Sequence, residues 1–332
     1  MRPLGICTIW DKLVEKCVQL VLDPYCETKF VPSSFGFREQ VSAHNALAKV
    51  KNQCQTMPYV LSLDLQDYFG TIDPDITYRE MWHIGIKDQV ILNYIYRFIK
   101  KGYYEASCKV EDPKGSPQGS ILGPLISNIY LHRFDVWLRE QGDCWHDESV
   151  KKFHNYRHKR RNLEVTNLKI GIHVRYADDV LVLCKDYQDA ERFRYSITKY
   201  LTRNMKLTVN TDKTRIYDLT KEKMKYLGYE FYAYKRNTKK VKKKGKLKIF
   251  NTLPKNKEDE IVGKCGELLR VVKDKTNHET IHDWNVYVVG IHNYYKGMTH
   301  FSKNFKKIGW RIYKLFYHTM NKRIKFTIEQ TL

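Results

Sequence analysis

The segment that most constrains this chain is IGIHVRYADDVLVLC, residues 170–184. Two apolar, β-favouring runs flank one break, and the break is Ala177-Asp178-Asp179. Short apolar runs bounded by turn residues read as strands, so the segment predicts a hairpin with adjacent carboxylates at its tip. Adjacent carboxylates repel, and burying them is costly unless a cation neutralises them. The plainer reading is an Asp-rich turn facing water, since Asp is a common turn residue. A second segment shifts the balance. YVLSLD, residues 59–64, is another β run ending on an acid, Asp64, followed by Leu65 and the aromatics Tyr68 and Phe69. Two strands that each present a carboxylate at one end can share Mg²⁺, which takes a few carboxylates together with phosphate oxygens and water. Two such ions, about 3.5–4 Å apart, activate a 3′-hydroxyl and stabilise the leaving pyrophosphate of an in-line displacement.

Charge points to the same class of partner. Lys and Arg number 59 against 37 Asp and Glu in 332 residues, a formal charge of +22, with 13% aromatic residues. A folded chain this basic meets a polyanion, most often nucleic acid. No apolar run reaches the roughly 18 residues of a membrane span, so no membrane partner is expected. The N-terminus has no apolar signal core. The eight cysteines show no C-x-x-C pair, which argues against a zinc ribbon and a disulfide framework. They read as reduced thiols, with Cys184 a buried strand residue.

Along the chain, residues 8–30 predict a helix with Leu13, Val14, Cys17, Val18, Val21 and Leu22 on one face, and a second helix lies around His44–Val50. Residues 76–101 read as helical and 102–114 as turn-rich, and a long apolar helix starts near Ile121. Residues 141–167 form a charged insertion. Helix 187–204 precedes short strands at LTVN, TRIYDL and YLGYEFYAY. Residues 235–248 carry nine basic residues and no acid, the best boundary signal, and the pattern from 258 onward is helical. This order predicts an α+β antiparallel sheet backed by helices, followed by a helical C-terminal domain.

Further blocks accompany the acids. RPLGI (Arg2–Ile6), SFGFR (Ser34–Arg38), SLDLQDYF, SPQGSILGPLISNIYLHRFD, VRYADD, LTVNTDKTRIYDL, MKYLGYEF and GIHNYYKG occur in that order across almost the whole chain. Together they resemble the group II intron reverse transcriptase/maturase family. The resemblance implies a right-hand polymerase fold: partial helical fingers over 1–58, an antiparallel palm sheet over 59–234, a basic linker over 235–257, and a helical, maturase-like thumb over 258–332. It implies an RNA-directed DNA polymerase that takes dNTPs, an RNA template, a DNA or RNA primer and group II intron RNA. The expected cofactor is a pair of Mg²⁺ ions, with Mn²⁺ able to substitute. The expected location is the bacterial cytoplasm, or an organelle in a eukaryote. A non-catalytic RNA-binding splicing factor on the same fold is the alternative. A second alternative is a reverse transcriptase of another lineage (retron, diversity-generating, CRISPR-associated or non-LTR).

By that resemblance Asp64, Asp178 and Asp179 are the catalytic acids, and Leu65 lends its carbonyl to the metal. Phe69 stands where the family places a sugar-edge gate; the plainer reading is an ordinary core aromatic, and Tyr68 is the alternative for the gate. Arg2, Gln118 and Lys213 bind the nucleotide; the plainer readings are a helix-capping Gln118 and a solvated turn lysine. Arg38 either binds a phosphate or pairs structurally. Tyr226, Leu227 and Gly228 resemble the primer grip. Lys152, Arg157, Arg160, Arg161, Lys240, Lys243, Lys306, Lys307, Arg311 and Lys314 are the candidate RNA contacts; Phe305, Ile308, Ile312 and Leu315 read as a core on the opposite helix face. The chain departs from the family in three ways. It begins at RPLGI without the upstream fingers segment, it carries Gly123 where many members have Ser, and it ends without a Cys/His endonuclease module.

Overall fold

The apolar β runs form one antiparallel sheet. In a computed structural model of the chain, which describes residues 7–100, 103–105, 108–110, 119–141, 171–234 and 247–320, β1 (Tyr59–Leu63) is central. It is flanked by β5 (Asp179–Cys184) and β6 (Arg215–Asp218), and β4 (Ile172–Tyr176) extends the sheet beyond β5. The hairpin expected around Ala177 is present, with Tyr176 opposite Asp179. Cys184 is fully buried, as expected of it. β5 is buried on both faces after its first residue, because the helices α5 (Gly123–Gln141) and α6 (Tyr187–Met205) cover the sheet. Their apolar residues, among them Ile126, Ile129, Phe134, Phe193 and Ile197, join Leu61, Leu63, Val180 and Val182 in one core.

The predicted helix over 76–101 is two helices, α3 (Pro74–Ile84) and α4 (Gln89–Lys100). Asp73 caps the first through the Asp75 and Ile76 amides. Gly85 ends it at φ 106°, a left-handed conformation natural to glycine. Two short strands, β2 (Tyr103–Glu105) and β3 (Cys108–Val110), form a hairpin within the stretch read as turn-rich. LTVN is not a strand; it adds one bridge, Leu65 to Val209.

The first helices are α1 (Ile9–Glu27) and α2 (Ala43–Gln53). α1 forms where predicted, but its apolar stripe faces the core only in part: Leu13 is 54% and Val21 66% exposed, while Leu22 is buried and Val18 packs against the core. Glu15, buried on the same helix, accepts the Ser120 hydroxyl and the Ile121 and Leu122 amides ahead of α5. That bond set joins the stripe in anchoring α1.

The chain divides after Leu219: the described residues up to it, with Leu247, form one compact unit, and the others from Thr220 onward form a second. In the second unit YLGYEFYAY is a tight hairpin, β7 (Met224–Tyr226) and β8 (Tyr229–Tyr234), and not one strand. β9 (Lys248–Thr252) pairs with β8 inside the stretch read as linker. The helices α7 (Lys255–Asp274), α8 (His278–Tyr295) and α9 (Phe301–Thr319) complete it, with α8 and α9 packed on α7. Among the described residues no helix is long and apolar enough to cross a membrane.

Candidate active site

Strand register brings the acids together. Leu63 of β1 faces Val180 of β5, so the next step outward sets Asp64 opposite Asp179. Opposed residues of an antiparallel pair hold their Cβ atoms about 4.5–5.5 Å apart on one face, where like charges destabilise. Asp178 adds a third carboxylate from the turn. The Asp179 carboxyl reaches solvent but is hemmed in by protein. That desolvation, then the charge of Asp178, then that of Asp64, pushes its pKa up to about 6. Among the described residues no group of three or more His, Cys, Asp or Glu side chains is already drawn together closely enough to hold a metal ion. The arrangement is an open row of mutually repelling carboxylates, which suits a hard cation that keeps positions for phosphate oxygens and water.

A buried cation fixes the turn that carries these acids. Arg175, fully buried on β4, grips Asp135 of α5 in a fork, Nε to Oδ1 at 2.8 Å and Nη2 to Oδ2 at 2.6 Å. It also donates to Asn128 Oδ1 at 3.1 Å, to Ser34 Oγ at 2.7 Å and to the Ala177 carbonyl at 2.8 Å. The last bond holds the turn itself, where Ala177 lies at φ 57°. The loop bearing SFGFR is stitched alongside. The Arg175 amide donates to the Ser33 carbonyl at 2.9 Å, and the Phe35 amide donates to the Arg175 carbonyl at 2.8 Å. Gly36 abuts the Ala177 amide so closely that a Cβ could not fit.

The segment 208–214 wraps the other side of Asp64. The Asn210 amide donates to the Asp64 carbonyl at 2.8 Å, and the Gln66 amide donates to the Thr208 carbonyl at 2.9 Å. These bonds leave the carbonyl of Leu65, a buried residue, outside that ladder. Lys213 places its ammonium 3.6 Å from Asp64 Oδ2 with its side chain 66% exposed, a mobile countercharge beside the acids.

In the second unit the Leu227-Gly228 turn has both residues at positive φ, 44° and 75°, the geometry of a type I′ hairpin. Tyr294 donates its hydroxyl to the Leu227 carbonyl at 2.8 Å, and Tyr295 donates to the Gly228 carbonyl at 3.4 Å. Tyr229 in turn donates to the Tyr294 carbonyl. The predicted primer-grip turn is therefore clamped by the end of α8.

A profile of the reverse transcriptase (RNA-dependent DNA polymerase) family matches residues 1–231. The chain belongs to the reverse transcriptase family. Its relatives include the group II intron-encoded protein LtrA of Lactococcus lactis subsp. cremoris, 30% identical over 285 residues, covering 75% of this chain and 47% of that protein. A COX1/OXI3 intron 1 protein of Saccharomyces cerevisiae is 28% identical over 256 residues, covering 69% of this chain and 30% of that protein. Protein YkfC of Escherichia coli is 27% identical, covering 82% of this chain and 72% of that protein. This reverse transcriptase chain thus spans less than half the length of the first two. Among solved structures, a Candida tropicalis apo telomerase aligns at TM-score 0.45 and 13% identity, over 65% of this chain and 43% of that one.

The reverse transcriptase motifs fall into place unevenly. Arg38 is forked onto Glu27, with Nη2 to Oε1 at 2.7 Å, and donates to the carbonyls of Val31 and Ser34. Of the two readings open for it, structural pairing is what the structure shows. Tyr68 is buried and donates to the Ser127 carbonyl at 2.8 Å, whereas Phe69 is partly exposed beside it. Tyr226 is buried in β7. On α9, Lys307 pairs with Glu258 and Arg311 with Asp259 of α7. Lys306 and Lys314 lie exposed on another face, the latter over the Trp310 ring. Phe305 and Ile308 are buried, as the core reading expects, and Ile312 and Leu315 are half-buried. Arg2, Gln118, Lys152, Arg157, Arg160, Arg161, Lys240 and Lys243 lie outside the described residues.

Sequence reasoning missed three supports: Arg175 with Asp135, Glu15, and the Tyr294-Tyr295 clamp. An arginine inside an apolar strand next to paired aspartates was the available signal for the first, because a charge there requires a buried partner.

Proposed function

We propose that this chain performs RNA-templated DNA synthesis as the core of a group II intron-type reverse transcriptase. The observation that carries the reading is the register that pairs Leu63 with Val180, one residue inside Asp64 and Asp179, with Asp178 in the adjoining turn, within the region matched to the family. The carboxylates fit a divalent metal, since a bound cation relieves the repulsion that otherwise favours a proton on Asp179. Asp64 and Asp178, with Asp179 in support and the Leu65 carbonyl, are the groups that would hold two Mg²⁺ ions. When bound, such ions neutralise charge at the attacking 3′-oxygen and at the leaving pyrophosphate.

The protein's own groups position the reactants, and nucleotidyl transfer needs little covalent help beyond that. The Arg175 fork fixes the height of Asp178 and Asp179 above the sheet. Lys213 reaches the same space on a flexible stem, suited to a triphosphate oxygen. Phe69, partly exposed where Tyr68 is buried, is the residue assigned to test the sugar. The first unit supplies the palm and part of the fingers, and α7 to α9 the thumb. On α9, Lys303, Lys306, Trp310, Tyr313, Lys314 and Tyr317 share one face spanning about 100° of the helix, and all six are exposed. Cations and rings on one face suit phosphates and sugars or bases, so the template–primer and the intron RNA are the partners we assign to this face and to the basic runs 151–161 and 235–248.

Primer extension on an RNA template with Mg²⁺ and dNTPs decides the matter. The wild-type chain extends, and Asp178→Ala and Asp64→Asn abolish extension while retaining RNA affinity. Equal extension by wild type and Asp178→Ala sinks the polymerase reading and leaves an RNA-binding splicing factor.

A further inference from the structure

Phe37 sits where folding alone gives it little reason to be. Its backbone stands at φ 58°, a left-handed conformation that bulky L-residues enter only under constraint. Its side chain is 49% exposed. Glycine would satisfy the backbone and remove the apolar surface from water. The neighbours show what holds the residue there. Gly36 is wedged against the Ala177 amide and accepts a hydrogen bond from Asn128 Nδ2 at 2.9 Å. Arg38 is locked by Glu27 and by the Val31 and Ser34 carbonyls. Between these clamps the Phe37 ring meets the Phe69 ring edge-on, centroids 6.4 Å apart and planes at 72°. Gly36 abuts the turn that bears Asp178, and Phe69 closes the short segment that starts at Asp64. Phe37 therefore lies between the two sources of catalytic carboxylates. Its strained backbone is held by rigid surroundings on both sides, a pattern that concentrates at ligand-binding positions.

We propose that Phe37 contacts the substrate: its open ring forms, with Phe69, an apolar wall for the sugar and base of the incoming nucleotide. The identity of that ligand rests on the polymerase reading above. A ring offers contact to any base and to sugar C–H groups without reading hydrogen-bond patterns. Phe37 accordingly sets affinity for all dNTPs alike and does not choose among them.

The test uses the full chain bound to an RNA template and a primer ending in a dideoxynucleotide, titrated with each dNTP and Mg²⁺. Phe37→Gly weakens nucleotide affinity about tenfold for every dNTP, the scale of one lost aromatic contact. Phe37→Tyr recovers most of that loss. In extension assays Phe37→Gly raises KM for dNTPs and does not lower kcat to the same degree. The thermal midpoint of the free protein stays level or rises in Phe37→Gly, because glycine accepts the left-handed backbone. Unchanged nucleotide affinity in Phe37→Gly overturns the proposal. So does a lowered thermal midpoint with kcat and KM affected together, which would make the ring a core element. Failure of the wild-type complex to bind any dNTP overturns it as well. A wild-type complex that binds dNTPs but never extends a primer overturns the polymerase reading alone.

Discussion

At the scale of the residue, Arg175 shows how much depends on one buried charge. Removing one partner of a buried ion pair leaves the other charged, desolvated and unpaired, a loss of about 3–5 kcal/mol. Arg175→Ala is expected to destabilise by that order in chemical denaturation, and Arg175→Lys to recover only part of it, because an ammonium cannot reproduce the fork onto Asp135. A double-mutant cycle with Asp135→Ala checks the coupling: the pair of substitutions costs less than the sum of the two. Asp179 gives a second measurable signature. Its folded pKa, about 6, lies above its ordinary value of 3.8. The folded protein therefore holds a proton that the unfolded chain releases. Stability of the metal-free protein falls as pH rises from about 4 through about 6, and Asp179→Asn flattens that slope in thermal melts. Asp178 and Asp64 face the same group, so Asp178→Asn lowers the Asp179 pKa and shrinks that slope. The acids were legible in the sequence because carboxylates set side by side between apolar runs are costly to hold without a cation. Arg38 was not, since a phosphate ligand and a structural fork use the same guanidinium and differ only in where Glu27 falls.

At the scale of the element, the Leu227-Gly228 turn joins local strain to tertiary support. Gly228→Ala puts a Cβ at φ 75° and 3.0 Å from the Tyr295 hydroxyl, with an expected cost of about 1–2 kcal/mol from the left-handed backbone alone. Tyr294→Phe removes the bond to the Leu227 carbonyl and costs about 1 kcal/mol. Under the primer-grip reading, Tyr294→Phe also raises KM for the primer more than KM for dNTPs. Equal changes in both assign the tyrosine to stability alone. This hairpin was hidden in YLGYEFYAY because Leu-Gly lacks the Asn-Gly or Asp-Gly signal of a primed turn. The helices were easier, since periodicity marks where a helix exists. It did not fully say which face of α1 is buried, because the buried side includes Glu15, a carboxylate that caps the start of α5, beside only part of the apolar stripe. The break between α3 and α4 was written in Gly85, a helix-ending residue inside an otherwise continuous apolar pattern.

At the scale of the whole molecule, a chain of net charge +22 carries a site whose own groups are acidic, and the two populations act on different observables. The open face of α9 carries Lys303, Lys306 and Lys314 among rings, while Lys307 and Arg311 close ion pairs onto α7. The exposed Arg311–Asp259 pair contributes about 1 kcal/mol or less, while Lys307 also neutralises the buried carboxylate of Glu258, so both pairs serve helix packing. RNA affinity is expected to fall steeply with salt, with a slope in log K against log salt near −0.7 for each phosphate contacted on a single strand. Lys306→Ala with Lys314→Ala should flatten that slope by about 1–2 units and leave the thermal midpoint in place. Trp310→Ala should weaken binding at every salt concentration without changing the slope, because stacking releases no counterions. Asp178→Asn should abolish extension with the slope intact. Titration of RNA binding between low and moderate salt for these variants checks the division. A slope unchanged in Lys306→Ala/Lys314→Ala would move the phosphate contacts off α9, and a slope altered by Asp178→Asn would mean that the acids themselves feel the RNA backbone.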